Sequence, residues 1–307
     1  MFKEELKIKY NNSVDEKLIR YEILAAEANT VRNKDKSLIK KLLKNFYNRR
    51  LDVGIGFQIA YGSILSGDYF DLIKLPDGNY LFVFADISGH GLPAYTTLIR
   101  LRSAITLAIK EIKKIFNQID SINTDYLIKD ISTRFTDIMD ETNSTDFACV
   151  NFAFITNRED RFIFRFYNRS MLYPIVIRKY ANNTMEVYNL NNKFAGWCPQ
   201  TGHLLGSDVR KLLGDSYLYT PECEFTLYEG DSILFFSDGI VEATHRNDKF
   251  LEFGQQRIEE HMLENIQLPP QLSINLLFES VYEFMGSHEK QRDDMTAVLV
   301  NLPRVTD

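Results

Sequence analysis

Two apolar runs constrain this chain more than any other feature. Tyr80–Ala85 (YLFVFA) leads straight into Asp86, and Ser232–Phe236 (SILFF) leads into Ser237-Asp238-Gly239. Short apolar runs bounded by turn residues read as buried strands. Ser88-Gly89-His90-Gly91 breaks the chain after the first, and Gly239 does so after the second. A carboxylate at the end of such a strand starts beside the core, and burying it unpartnered is expensive. Two more acids lie at strand ends or glycine turns: Asp68 in Ser66-Gly67-Asp68, and Asp293 in Arg292-Asp293-Asp294-Met295-Thr296.

The rest of the chain supplies a frame for these acids. From Val53 the pattern has period two, with strands expected over 56–61, 69–75 and 79–86 and a turn at Pro76-Asp77-Gly78. A long helix is expected over 93–116, then a second over 125–139 with Thr124 as its cap. Strands follow over 147–155, 161–168 and 171–178, with a shorter one over 184–188. Residues 189–215 read as irregular, with room for one buried strand. After the SILFF strand come helices near 254–263 and 270–285, the latter ended by Gly286, and a last strand over 295–301. This order predicts an α+β fold, a two-sheet core with helices on its outer faces. Residues 1–50 stand apart: Ile19, Ile23 and Ala26, then Ile39, Leu42, Leu43 and Phe46, recur at helical spacing. They are expected to form a helical linker, regulatory or dimerisation segment, with residues 51–307 as one domain.

Charge and cysteines exclude several classes. A net charge of −6 argues against nucleic acid as a partner. Three cysteines give neither a disulfide framework nor paired zinc-ligand spacing, so a cytoplasmic protein is expected. The N-terminus lacks the apolar run of a signal peptide, and no apolar stretch is long enough to span a membrane.

Bringing several carboxylates together raises repulsion unless cations neutralise it. Mg²⁺ or Mn²⁺ suits an all-oxygen site, and Zn²⁺ is disfavoured without a His/Cys cluster. Two adjacent cations would hold phosphate oxygens and a hydroxide with no side-chain nucleophile. The plainer alternative makes the acids turn residues and helix caps. His90 offers either a proton donor to phosphate or a loop-structuring hydrogen bond. Arg169 offers a fork for phosphate or a partner carboxylate, or a solvated turn residue.

The ordered blocks SGDYFD (66–71), ADISGHGLPA (85–94), EGDSILFFSDGIVEA (229–243) and DDMTAVLV (293–300) resemble the bacterial PPM-type serine/threonine phosphatases of the partner-switching, SpoIIE/RsbU-like kind. The resemblance covers about residues 50–301. It implies an α-β-β-α four-layer sandwich, two central mainly antiparallel sheets flanked by helices, with a centre of two Mn²⁺ or Mg²⁺ ions. By motif, Asp86 would bridge both ions with help from the Ile87 carbonyl. Asp238 and Asp293 would complete the second-metal side, and Asp68 would hold a metal-bound water or help position a metal. Asp293 is preferred to Asp294 because it comes first in the motif and neighbours on a strand face opposite ways. Asp294 then orients the loop.

The implied activity is phosphoserine or phosphothreonine hydrolysis by direct attack of metal-bound water or hydroxide. The implied substrate is a phosphorylated STAS-domain anti-sigma-factor antagonist. An upstream sensor or activator and a homodimer through residues 1–50 are further expectations. The alternative is a catalytically weak or inactive PPM-fold module that binds a phosphorylated partner. Two departures stand out: Ser66 replaces the first glycine of the family's GGD, and Asn168-Arg169-Ser170 replaces its Ala-Gly-His. The second is expected to alter surface or substrate docking more than chemistry.

Overall fold

Alternation along the strands sorts side chains onto two faces, and both faces of both sheets are covered. The computed structural model describes residues 51–115, 122–158, 161–180, 184–189 and 201–302. By Cα proximity the chain divides into two units, Met1–Leu42 and Leu43–Asp307, and everything described belongs to the second. The helical segment expected over 1–50 lies outside the described residues.

One sheet has the order β1-β13-β10-β6-β7: β1 Asp52–Gln58, β13 Met295–Asn301, β10 Ser232–Phe236, β6 Ile175–Lys179 and β7 Met185–Asn189. The other runs β2-β3-β4-β5-β9: β2 Tyr69–Lys74, β3 Tyr80–Ile87, β4 Phe147–Asn157, β5 Arg161–Arg169 and β9 Glu222–Tyr228. The short β8 (Leu205–Gly206) adds to β4 by pairing with Phe147 and Ala148. Every ladder in the two sheets is antiparallel. A separate hairpin pairs β11 (Thr244–His245) with β12 (Asp248–Glu252).

Period two then builds three layers of core. Leu81, Val83, Ala85 and Ile87 of β3 pack with Val150 and Phe152 of β4 beneath helices α1 (Gly91–Ile115) and α2 (Thr124–Glu141). Leu234 and Phe236 of β10 pack with Ala297 and Leu299 of β13 beneath helices further along the chain. Those between 207 and 285 are α3 (Ser207–Leu213), α4 (Asp238–Val241), α5 (Gly254–Asn265) and α6 (Pro270–Met285), and α5 and α6 cover this sheet. Between the sheets lie aromatic rings. Phe235 of β10 meets Phe82 at 4.8 Å and Phe84 and Phe166 at 5.9 Å, and Phe57 meets Phe70 edge-on at 6.1 Å. This is the expected α+β sandwich, two antiparallel sheets flanked by helices.

Close backbone approach explains two glycines of VGIGF. A Cβ on Gly54 would stand 2.2 Å from the Pro270 carbonyl oxygen, and one on Gly56 would stand 2.3 Å from the Phe278 ring. Helix α6 therefore lies directly on β1.

Several expectations are corrected. Helix α2 is capped by Asn123, whose side chain accepts from the Tyr126 N–H at 2.9 Å, so Thr124 is the first helical residue. The strand expected over 171–178 begins only at Ile175. β9 was not anticipated, although Cys223, Phe225 and Leu227 alternate inward from Glu222, Glu224 and Thr226. The β11–β12 hairpin was also missed. Cys149 is a free thiol.

Candidate active site

Strand parity carries Asp68 and Asp86 to one end of the inter-sheet layer, beside Ser237 and Thr296. Asp86 follows Phe82 and Phe84 at spacing two, and Ser237 follows Ile233 and Phe235. Thr296 precedes Val298 on β13, and Asp68 precedes Phe70 on β2. All four therefore face the gap between the sheets, where the aromatic packing gives way.

Asp68 is buried at 5% exposure. Its Oδ2 accepts from the Thr296 hydroxyl at 2.6 Å, and its N–H donates to Ser66 Oγ at 3.0 Å. Ser66 is thus a working partner in a position where glycine was the expected residue. Burial pushes the Asp68 carboxyl well above its ordinary 3.8; the Thr296 bond opposes this, and the charge of Asp294 adds to it. Asp86 is also held well above 3.8, by burial first and then by the charges of Asp68 and Asp238, with which it shares a hydrogen bond. Asp293 is raised by burial and by Asp238, while its hydrogen bond from the Asp294 N–H and the nearby His90 pull it down.

Asp294 does different work. It is 2% exposed, and its two oxygens accept from the Ala60 N–H at 2.8 Å and the Gly67 N–H at 2.7 Å. It therefore clamps the loop that delivers Asp68. Helix α4, which opens on Asp238, sits hard against the same backbone: a Cβ on Gly239 would stand 2.1 Å from the Asp294 carbonyl oxygen. Gly67 has a similar role, its Cβ direction meeting the Ile87 carbonyl oxygen at 3.0 Å. That carbonyl and the Asp86 carboxylate therefore flank one loop.

His90 is exposed, and its Nδ1 lies 2.9 Å from Ser63 Oγ, tying the Asp86 loop to the loop before Asp68. Four contributors were not singled out from sequence. Ser237 accepts from the Thr296 N–H at 2.9 Å. Thr296 orients Asp68. Gln291 donates to the carbonyls of Gln58 at 3.1 Å and Asp293 at 2.9 Å. Glu242 has its carboxyl raised by burial and by the charges of Asp238, Glu252 and Asp293, which puts it on the rim. The signal for Thr296 was its even spacing from Val298 and Val300; nothing local marks Gln291. Cys149 pairs with Asp86 across the β3–β4 ladder, and its thiol is pushed up to about 12 by burial and by Asp86 and Asp238.

Arg169 does not belong to this site. It shares the parity of Tyr167 and pairs with Val150, both of which face the helices. Asp86 and Cys149 occupy the opposite face of the same sheet. Arg169 is 0% exposed, so it is neither a solvated turn residue nor a group that reaches substrate.

The donors suit a hard cation by type, being carboxylates and a backbone carbonyl, while the neighbouring Cys149 thiol, pushed up to about 12, is not offered as a soft thiolate ligand. Among the described residues, no three or more His, Cys, Asp or Glu side chains are gathered so as to hold a metal ion. Asp86 and Asp238 share a hydrogen bond.

The family model for stage II sporulation protein E (SpoIIE) matches residues 76–303. The chain belongs to the SpoIIE family. The match takes in the segments bearing Asp86, Asp238 and Asp293. Among solved structures, the SiaA-PP2C domain of Pseudomonas aeruginosa superposes with a TM-score of 0.65 at 14% identity, covering 94% of this chain and 99% of that one. The PP2C phosphatase domain with a fragment of the regulatory domain of SpoIIE from Bacillus subtilis gives 0.56 at 18%, covering 83% of this chain and 64% of that one. The RsbU and RsbW domains of Rv1364c from Mycobacterium tuberculosis give 0.52 at 16%, covering 83% and 61%. At these identities the likeness is one of fold alone. A comparison with curated proteins returns no match. No described helix is long and apolar enough to cross a membrane.

Proposed function

We propose that this SpoIIE-family chain is a protein serine/threonine phosphatase dependent on two Mn²⁺ or Mg²⁺ ions. One observation carries the reading: Asp68, Asp86, Asp238 and Asp293 converge electrostatically at one end of the inter-sheet layer, with the first two carboxyls pushed up by burial and by neighbouring acid charge. Such a group is costly as bare anions and is relieved by cations. Asp68, Asp86, Asp238 and Asp293, with the Ile87 carbonyl, would hold the ions. When bound, the ions lower the pKa of a water molecule and screen the phosphate charge.

The chain's own groups prepare that chemistry. Burial and neighbouring acid charge raise the proton affinity of Asp68 and Asp86, and bound cations would favour their ionised forms. Thr296 and Ser66 fix the orientation of Asp68, and Asp294 and Gln291 fix the loops that present Asp68 and Asp293. In this reading water attacks phosphorus directly, and as inorganic phosphate forms the bond to the serine or threonine oxygen breaks and that oxygen takes up a proton. The substrate would be a phosphorylated STAS-domain anti-sigma-factor antagonist in the cytoplasm. Regulation would come from an upstream activator or from dimerisation through residues 1–50.

The test is phosphate release from a phosphoserine STAS protein and from an aryl phosphate, with and without Mn²⁺, beside Asp238→Asn. Cation-dependent release that disappears in the folded variant supports the reading. Tight binding of the phosphorylated protein without release across Mn²⁺ and Mg²⁺ would replace it with a non-catalytic binding module.

A further inference from the structure

Arg169 is the largest fully buried side chain of the described residues, and among the described side chains no carboxylate pairs with it. Its Nη1 donates to the Tyr217 carbonyl at 2.8 Å and to Thr220 Oγ1 at 2.7 Å, and the guanidinium lies 4.8 Å from the Tyr217 ring. Among the described residues its Nε and Nη2 have no hydrogen-bond partner. Burial pushes the guanidinium below its ordinary value. A buried cation held only by neutral acceptors is a poor source of stability, and an apolar side chain of similar size would cost the fold less. A charge buried there calls for a positional explanation.

Its contacts all reach one segment. Residues 201–220 comprise β8, α3 and the 3₁₀ turn Gly214–Leu218, and within that turn Arg169 holds the Tyr217 carbonyl. Around the arginine the segment is fastened tightly. The Gly202 N–H donates to the Asn168 carbonyl at 2.8 Å, and Ser170 Oγ donates to the Gly202 carbonyl at 3.0 Å. A Cβ on Gly202 would stand 3.1 Å from Arg169 Cδ.

The far side of the segment meets the candidate active site. β8 pairs with Phe147 and Ala148. Ala148 in turn pairs with Ile87. Phe147 exchanges two hydrogen bonds with Ser88: the Ser88 N–H donates to the Phe147 carbonyl, and the Phe147 N–H donates to Ser88 Oγ, each at 3.0 Å. A continuous ladder therefore runs from the segment latched by Arg169 to the loop that follows Asp86. Tyr217 strengthens the link, since its hydroxyl bonds Thr136 of α2 at 2.7 Å and accepts from the Gly206 N–H of β8 at 3.2 Å.

We propose that Arg169 is a positioning residue that latches segment 201–220 to the end of β5 and, through β8 and β4, holds the Asp86–Gly91 loop in its cation-binding register. The coupling to cation binding rests on the function proposed above; the latch itself does not.

The test compares the full-length wild-type chain with Arg169→Met, Arg169→Lys and Thr220→Val by hydrogen exchange, thermal melting and Mn²⁺-dependent aryl phosphate hydrolysis. Arg169→Met removes a buried charge but also leaves the Tyr217 carbonyl and Thr220 Oγ1 without their donor, so thermal melting serves to establish that the variant folds and exchange decides the latch. Its amides over 202–219 should exchange about tenfold faster while those of β3 and α1 stay protected, as loss of a charged hydrogen bond requires. The Mn²⁺ concentration giving half-maximal turnover should rise. Arg169→Lys should recover part of both effects, because one ammonium can reach Tyr217 O and Thr220 Oγ1. Thr220→Val should move exchange in the same direction by less, and it decides the latch if Arg169→Met does not fold. Unchanged exchange over 202–219 in both Arg169→Met and Thr220→Val overturns the latch. Faster exchange with an unchanged Mn²⁺ requirement overturns the coupling to the Asp86 loop. A wild-type chain without phosphatase activity sinks the proposed function, and exchange still decides the latch.

Discussion

The two faces of the β2–β3–β4–β5–β9 sheet bury charge on opposite terms. On the face toward the second sheet, Asp68 and Asp86 stand among other carboxyls at the end of an aromatic layer and carry raised proton affinities. On the face beneath α1 and α2, Arg169 is fully enclosed and answered by neutral oxygens. One residue of parity separates the two arrangements, because Cys149 beside Asp86 and Val150 beside Arg169 are chain neighbours. The difference teaches which face can respond to its surroundings. Clustered carboxyls change state when protons or cations arrive, whereas a lone guanidinium with fixed acceptors stays charged and holds geometry.

The largest break in this comparison should come from the acids. Asp86→Asn or Asp238→Asn should lower cation-dependent phosphate release about a thousandfold or more, since metal assistance supplies several kcal/mol to the transition state. Circular dichroism should show the fold retained. Loss of activity only through unfolding would remove the distinction between the faces.

Next comes the backbone contact behind the acids. Gly239→Ala drives a methyl to within 2.1 Å of the Asp294 carbonyl oxygen, so the α4–β13 contact must open. A stability loss of about 1–3 kcal/mol is expected, together with loss of activity, read by denaturant melts and phosphate release.

The acids also set a pH signature. A carboxyl raised in the folded state binds more protons there than in the unfolded chain. For Asp68 and Asp86 the metal-free protein should therefore lose stability as pH rises from 3.8 through their elevated folded values. Mn²⁺ should reverse the loss by favouring the ionised forms. Melting temperature against pH, with and without Mn²⁺, checks both signs; a metal-free melting temperature that climbs steadily through this window would contradict them.

A smaller effect sharpens the role of Thr296. Thr296→Val removes the 2.6 Å bond to Asp68, which counters the burial of that carboxyl. About 0.5–1.5 kcal/mol of stability should go, and the acid limb of the rate–pH profile should move to higher pH. The smallest effect lies at the surface, where Arg210 of α3 bridges Asp137 and Asp140 of α2. Ser207 and Arg210 hold the Asp140 carboxyl below 3.8. Its contribution should be present above that value and fade as pH falls below it; Asp140→Asn should cost no more than about 1 kcal/mol.

How much of this was legible in the sequence follows from the range of each signal. Period two in YLFVFAD and SILFF marks both the strands and the face on which Asp86 lies, because the acid continues the alternation of the aromatics. The last strand, Met295–Asn301, was legible for the same reason. Arg169 was not. Asn168-Arg169-Ser170 reads as a hairpin turn, yet β5 extends through Arg169, and its acceptors lie 48 and 51 residues further on. Ser170 takes the positive φ of 56° in its place. The capping error at α2 was a choice between adjacent good caps, Asn123 and Thr124, which only geometry separates. β9 had a clear alternating pattern but followed irregular chain, and its strand character comes from pairing with β5.

The account stands on the acids at the end of the inter-sheet layer being a site for divalent cations. Calorimetric titration of Mn²⁺ into the full chain, beside folded Asp86→Asn, tests this most directly. Saturable binding with proton release and a raised melting temperature in the wild type, lost or sharply weakened in the variant, is the predicted result. Absence of binding in the wild type, or equal binding by both proteins, would contradict it.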